Sequence, residues 1–178
     1  VNIVLDSGNL VLKGIFGGKI YFYPFTDTYT YRRGKAWKIT TPGGEDITFI
    51  YNSNGLVGVV DGSAFRTWEF VYSQSNPPLL TTINMTPTGK PNNIIAWINL
   101  DYYGTGEAYG LTRDLKHVIV NQDGTTKTAY YRYYTDQNSA RRVKYILDPE
   151  SYVKAKKNGT TPETMTDALI QSSYADYY

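Results

Sequence analysis

Residues 47–72 read ITFIYNSNGLVGVVDGSAFRTWEFVY, and this stretch decides the fold class. Ile47, Phe49 and Tyr51 alternate with polar Thr48, the period of a half-buried strand. Asn52-Ser53-Asn54-Gly55 is a turn, because glycine accepts φ > 0 and asparagine tolerates it. Leu56, Val57, Val59 and Val60 make a short apolar strand interrupted only by Gly58. Asp61-Gly62 carries the signature of a two-residue hairpin turn. Trp68, Phe70 and Tyr72 then share one face of a third strand, opposite Thr67, Glu69 and Val71. The stretch predicts three antiparallel strands joined by tight turns, and it specifies no reaction.

The same pattern extends in both directions. Towards the N-terminus, Asn2 to Phe16 reads as a hairpin about Asp6-Ser7-Gly8-Asn9, and Lys19–Phe25 as a strand apolar on both faces with Pro24 at its end. Thr28–Arg33 alternates threonine and tyrosine, and Lys35–Thr41 is a strand closed by Pro42-Gly43-Gly44. Towards the C-terminus, strands are expected over Leu79–Thr86, Ile94–Tyr103, Asp114–Val120, Thr125–Tyr134 and Val143–Leu147. Within Ile94–Tyr103, Ile95, Trp97, Asn99 and Asp101 lie on one face. The pattern changes at Asp148, a good N-cap followed by Pro149 and Glu150. A short helix is expected over 149–157, stopped at Asn158-Gly159, and a second from Pro162 to about residue 175.

Composition narrows the function classes. The chain has 178 residues, with 18 basic and 16 acidic side chains, a balance that gives no electrostatic case for nucleic acid or an anionic membrane surface. No apolar run reaches the roughly 20 residues of a membrane-spanning helix. Cysteine is absent, which removes thiol catalysis, disulfides and cysteine metal sites. A single histidine, His117, excludes a multi-histidine metal site within one chain. Tyrosine occurs 18 times and glycine 16 times, a mixture suited to half-exposed sheets with frequent turns.

The chemistry-bearing residues are sparse. His117 lies mid-strand and reads as an ordinary strand residue. Asp101 and Glu107 flank the loop Tyr102-Tyr103-Gly104-Thr105-Gly106 and form the best carboxylate pair for glycoside hydrolysis, against a solvated hairpin end. The Gly-x-Gly in this loop lacks the helix and third glycine of a dinucleotide fingerprint. Asp61-Gly62 and Asp123-Gly124 lack the further oxygen ligands of a calcium loop. Arg32-Arg33, Arg141-Arg142 and the group Lys154, Lys156 and Lys157 read as solvated charges, the lysines favourable at a helix C-terminus. Asn84-Met85-Thr86 and Asn158-Gly159-Thr160 are formal glycosylation sequons. Outward aromatics could stack on sugar rings, with Trp97, Tyr102, Tyr103, Tyr131 and Tyr133 as the candidate binding residues, although core and sheet packing also uses such rings.

Phe49-x-Tyr51-Asn52-x-x-Gly55-Leu56-Val57-x-x-Val60 resembles the YD repeat of bacterial Rhs proteins and animal teneurins, roughly Tyr-x-Tyr-Asp-x-x-Gly-Arg-Leu-x-x-Val. Asn52 stands for the namesake aspartate, Phe49 for the first tyrosine and Leu56 for the arginine. Thr128–Thr135, Val143–Tyr152, Thr166-Asp167-Ala168 and Tyr174–Tyr178 look like a segment recurring in large Rhs proteins, in which a Tyr-Ala-Asp block leads into the next repeat. The resemblance covers about residues 47–178 and implies a strip of β-hairpins winding into a hollow shell. The family's autoproteolytic aspartate motif has no match here, so no catalytic residue is carried over.

The expectation is an all-β, antiparallel hairpin meander of YD-repeat type with one or two short helices near the C-terminus. Residues 1–178 form one β-rich segment: hairpins over 1–46, YD-like hairpins over 47–147 and short helices over 148–178. Starting at Val1 without methionine, the chain reads as a slice of a longer one. The expected role is a non-catalytic structural segment of a secreted or cell-surface bacterial protein, without metal or other cofactor. Its expected partners are neighbouring repeats or other copies of itself. The alternatives are carbohydrate or surface binding, and more remotely a glycosidase.

Overall fold

The chain is all-β, an antiparallel meander of twelve strands with two short α-helices near the C-terminal end. The computed structural model describes residues 2–6, 8–62, 64–157 and 159–173. The Tyr174–Tyr178 block therefore lies outside the described residues. Contacts divide the chain into two compact units, Val1–Ile95 and Ala96–Tyr178.

The first unit holds β1 (Asn2–Asp6), β2 (Asn9–Lys13), β3 (Lys19–Phe22), β4 (Ala36–Thr40), β5 (Asp46–Asn52), β6 (Gly55–Asp61), β7 (Arg66–Tyr72) and β8 (Leu80–Pro87). Each pairs antiparallel with the next. Directly opposed residues share a face, so the register sorts the side chains. Leu12, Ile20, Ile39 and Ile47 are paired in a row across β2–β5, and Phe49, Val59, Trp68 and Met85 in a row across β5–β8. These rows lie on one face, because Ile47 and Phe49 are two apart on β5. The other face carries Val11, Tyr21, Lys38, Thr48, Val60, Thr67 and Thr86, again paired in sequence. All eight residues of the apolar rows are only half-buried, and Val11 is the one buried apolar residue described in this unit.

In place of a core, the first unit has local ties. Tyr51 Oη donates to Ala36 O at 2.8 Å, and one hairpin later Tyr72 Oη donates to Leu56 O at 2.9 Å. Each hydroxyl at a strand end thus closes on the preceding strand. Thr28–Arg33 forms a 3₁₀ turn at Thr30–Arg32, where Arg32 makes a forked pair with Asp27 and lies over the Tyr23 and Tyr29 rings. Arg32 is therefore a partnered residue and not simply a solvated charge.

The two Asp-Gly pairs behave differently. At Asp123-Gly124 both residues have positive φ (+51° and +74°), and Gln122 pairs with Thr125, so β10 runs two residues past the expected Val120 into a two-residue turn. At Asp61-Gly62 the expected two-residue turn is replaced by a wider one, because Asp61 pairs with Arg66. Gly62 keeps φ outside the left-handed region. Its N–H reaches Asp46 O, and a Cβ on it would sit 3.0 Å from that oxygen. Glycine is required there by a close backbone approach, and among the described residues of the loop Phe65 has left-handed backbone (φ +50°).

The second unit holds β9 (Ala96–Tyr102), β10 (Leu115–Gln122), β11 (Thr125–Tyr133) and β12 (Val143–Leu147), followed by α1 (Pro149–Lys157) and α2 (Asp167–Ser173). α1 begins as expected: Asp148 Oδ1 accepts from Ser151 N–H at 2.7 Å. It packs on β11 and β12, burying Tyr152 and Ala155. The expected second helix from 162 to about 175 is broken into a 3₁₀ turn at Pro162–Thr164 and a fresh start at α2, where Thr166 Oγ1 accepts from Leu169 N–H. The core of the unit is Tyr103, Tyr130, Tyr145, Leu147, Tyr152, Ala155, Met165 and Ile170, all nine-tenths or more buried.

Candidate functional site

The densest polar chemistry is in the second unit, on the sheet face that also carries the helices. Register places Asp101, His117, Tyr130 and Leu147 opposite one another across β9–β12, so their side chains share that face. His117 Nε2 lies 2.8 Å from Glu163 Oε1, and its Nδ1 3.5 Å from Asp101 Oδ2. Tyr152 Oη donates to the same Glu163 oxygen at 2.7 Å. The His117 ring packs against Tyr130 and Tyr152, with centroids 5.1 and 6.1 Å away. Burial pushes the Glu163 carboxyl up, but hydrogen bonds from Tyr152 and His117 outweigh it and hold the group below its ordinary range. Burial and the bond to Glu163 push the Tyr152 hydroxyl well up, so it stays a neutral donor.

Arg132, one turn of the β pleat beyond Tyr130, is wholly buried. Its Nη2 donates to Pro162 O and Met165 O at 2.8 and 2.7 Å, and its Nη1 pairs with Asp167 at 2.7 Å. Its guanidinium lies 3.5 Å from the Tyr109 ring centroid, and its Nε reaches Tyr130 Oη at 3.3 Å. This explains the break in the second helix. Carbonyls that a continuous helix would use internally are taken by a buried cation with a fixed fork of donors. Lys144 also holds Asp167, at 2.6 Å. Burial raises the Asp167 carboxyl, and Lys144 and Arg132 together lower it further than burial lifts it.

The structure disperses the five aromatic candidates. Trp97 is half-buried on the Asp101 and His117 face. Tyr102 and Tyr131 are half-buried on the opposite face. Tyr103 is no surface platform: it is 2 % exposed, and its hydroxyl donates to Tyr131 O at 2.8 Å. Its ring packs where a Cβ on Gly110 would stand, which fixes glycine there. Tyr133 meets Tyr103 edge-on and lines a concavity of about 430 Å³ together with Tyr109 and Tyr134. No single stacking surface unites the five.

The carboxylates Asp101 and Glu107 have different partners. Asp101 approaches His117, whereas Glu107 accepts from Gly104 N–H and from Lys116 at 3.0 Å. The Lys116 bond holds the Glu107 carboxyl below its ordinary range, the opposite of what a general acid for glycoside cleavage needs. Among the described residues no group of three histidine, aspartate or glutamate side chains could hold a metal ion, and no helix is long and apolar enough to cross a membrane.

Sequence reasoning passed over Glu163, Tyr152 and Arg132. Glu163 is 46 positions from His117, and no local spacing links them. Arg132 did carry a signal: a lone cation within Tyr130-Tyr131-Arg132-Tyr133-Tyr134, a strand bound for a core, needs several acceptors. Comparison with family models finds no match to this chain, and comparison with curated proteins finds none.

Proposed function

We propose that this chain is a structural segment of a secreted or cell-surface β-structure of the Rhs/YD-repeat kind, in which successive hairpins extend one sheet, with no catalysis in the segment. One observation carries the reading: from β1 to β8, eight consecutive strands pair each with the next, and tyrosine hydroxyls at Tyr51 and Tyr72 lock successive hairpins. Tyr51 lies in the stretch whose pattern resembles the YD repeat. Its ring sits in the sheet while its hydroxyl satisfies a carbonyl, a use of tyrosine that suits the residue's apolar body and polar tip. A sheet built this way grows by adding hairpins at its edges. The partners are therefore neighbouring hairpins of the parent chain or other copies of this one. The ion-paired state of Glu107, far from an acid's poise, argues for the same conclusion over a glycosidase.

The test is the reading frame on both sides of these residues. The expected result is a run of further Tyr-x-Tyr-Asp hairpins and a variable C-terminal domain. A frame carrying unrelated domains on both sides overturns the proposal.

A further inference from the structure

We infer that the hollow beside β11 is a binding site for a neutral saccharide. Such a site goes beyond the structural role proposed above and stands independently of it. The hollow, about 430 Å³, is at the lower end of the range for small-ligand sites. Its walls include the rings of Tyr109, Tyr133 and Tyr134, and its polar groups include Asp136, Lys144 and Asp167.

The rings are held in place before any ligand arrives. Tyr109 has φ +70°, an unusual conformation for a tyrosine. Its O accepts from Tyr133 N–H at 2.8 Å, and its ring is covered by the Arg132 guanidinium. Tyr133 is fixed edge-on to buried Tyr103. Burial pushes its hydroxyl up to about 12, so it remains protonated and able to donate. Tyr134 is 40 % exposed, leaving ring surface for a ligand. The left-handed backbone at Tyr109 costs stability, and such strain clusters at ligand sites.

The charges select the ligand class. Lys144 and Arg132 both pair with Asp167, and with Asp136 in the wall the two cations and two carboxylates around the hollow sum to no net charge. Asp136 Oδ1 accepts from Asn138 and Ser139 N–H, which anchors this carboxylate in the wall of the hollow. An anion would meet two carboxylates, and a cation would meet Lys144 beside the ring. A neutral molecule with one apolar face and many hydroxyls fits both constraints. Its ring stacks on tyrosine, and its hydroxyls donate to Asp136 and accept from Lys144.

The experiment is titration of the intact chain with cellobiose, maltose and N,N′-diacetylchitobiose, followed by amide chemical shifts, with choline chloride and inorganic phosphate as charged probes. At least one disaccharide is expected to saturate, with shifts centred on residues 108–109 and 133–136. Tyr134→Ala should weaken that binding by about tenfold or more. Asp136→Ala should weaken it too, and Tyr29→Ala, an exposed tyrosine elsewhere, should leave it unchanged. A melting curve for each variant identifies any that fail to fold, and Tyr134→Leu then replaces Tyr134→Ala. The inference is overturned if no disaccharide saturates, if binding survives loss of the Tyr134 ring, or if choline or phosphate alone binds there.

Discussion

The two units of this chain use the same strand-and-turn vocabulary and stabilise it differently. In residues 1–95 the apolar side chains are spread along one face of eight strands, none of those in the main rows is buried, and hydroxyl-to-carbonyl and cation–ring contacts join neighbours. In residues 96–173 four strands carry two helices, and the same residue types close into a core with tyrosine at its centre. The difference turns on the helical segment after β12. Once α1, the 3₁₀ turn and α2 can be laid on a sheet face, polar atoms are buried with apolar ones, and each must find a partner. Arg132, Tyr103 and Glu163 are consequences of that burial. The first unit buries little and needs no such network.

Five substitutions would break or sharpen the contrast, and acid and alkali would probe it in two further ways. Arg132→Met should have the largest effect, about 3–5 kcal/mol, because it strips the cation from two buried carbonyls and leaves Asp167 to Lys144 alone. Hydrogen exchange should show protection lost in residues 96–173 and kept in β1–β8. Leu147→Ala, in the wholly buried core, should cost about 2–5 kcal/mol, whereas Ile39→Ala in the half-buried row should cost about 1 kcal/mol by thermal or urea unfolding. Gly110→Ala should cost about 1–3 kcal/mol by driving a methyl into the Tyr103 ring, with the same unfolding assay as readout.

Acidification acts through Glu163 and Asp167. Both carboxyls titrate lower in the folded chain than they would unfolded, so the stability they contribute is present above about pH 5. It is lost as pH falls through the depressed folded values. Near-ultraviolet circular dichroism should then report loosening of the tyrosine core before the sheet signal in the far ultraviolet is lost. Alkali probes the same unit from the other side. Tyr133 stays protonated to about 12, so its contribution is complete below pH 10 and disappears between 10 and 12. The smallest effect is expected of Tyr51→Phe, about 0.5–1.5 kcal/mol, since it removes one hydroxyl tie from a sheet that has others.

Much of the fold was legible because it rests on local rules. The alternation of Trp68, Phe70 and Tyr72 against exposed Glu69 and Val71 is what the burial shows, and Asp148, Pro149 and Glu150 place the start of α1. Two local rules failed for non-local reasons. Asp-Gly at 61–62 was overridden by the approach of Asp46 O, and the helix from 162 was interrupted by acceptors offered to Arg132. The candidate site was less legible. Trp97, Tyr102, Tyr103, Tyr131 and Tyr133 share composition but no face, since strand parity separates them and burial removes Tyr103. The pairing of His117 with Glu163 depends on how the C-terminal helices return to the sheet, which no sequence window contains.

Native-state hydrogen exchange resolved by residue, on the intact chain at low micromolar concentration, tests the central contrast most directly. The amides of β10, β11, β12 and α1 should exchange only through global opening and be the slowest in the chain. The amides of β1–β4 should exchange faster, through openings that leave the tyrosine core closed. Equal or greater protection of β1–β4 under those conditions would contradict the account, because it would mean that residues 1–95 are held by a core as complete as that of residues 96–173.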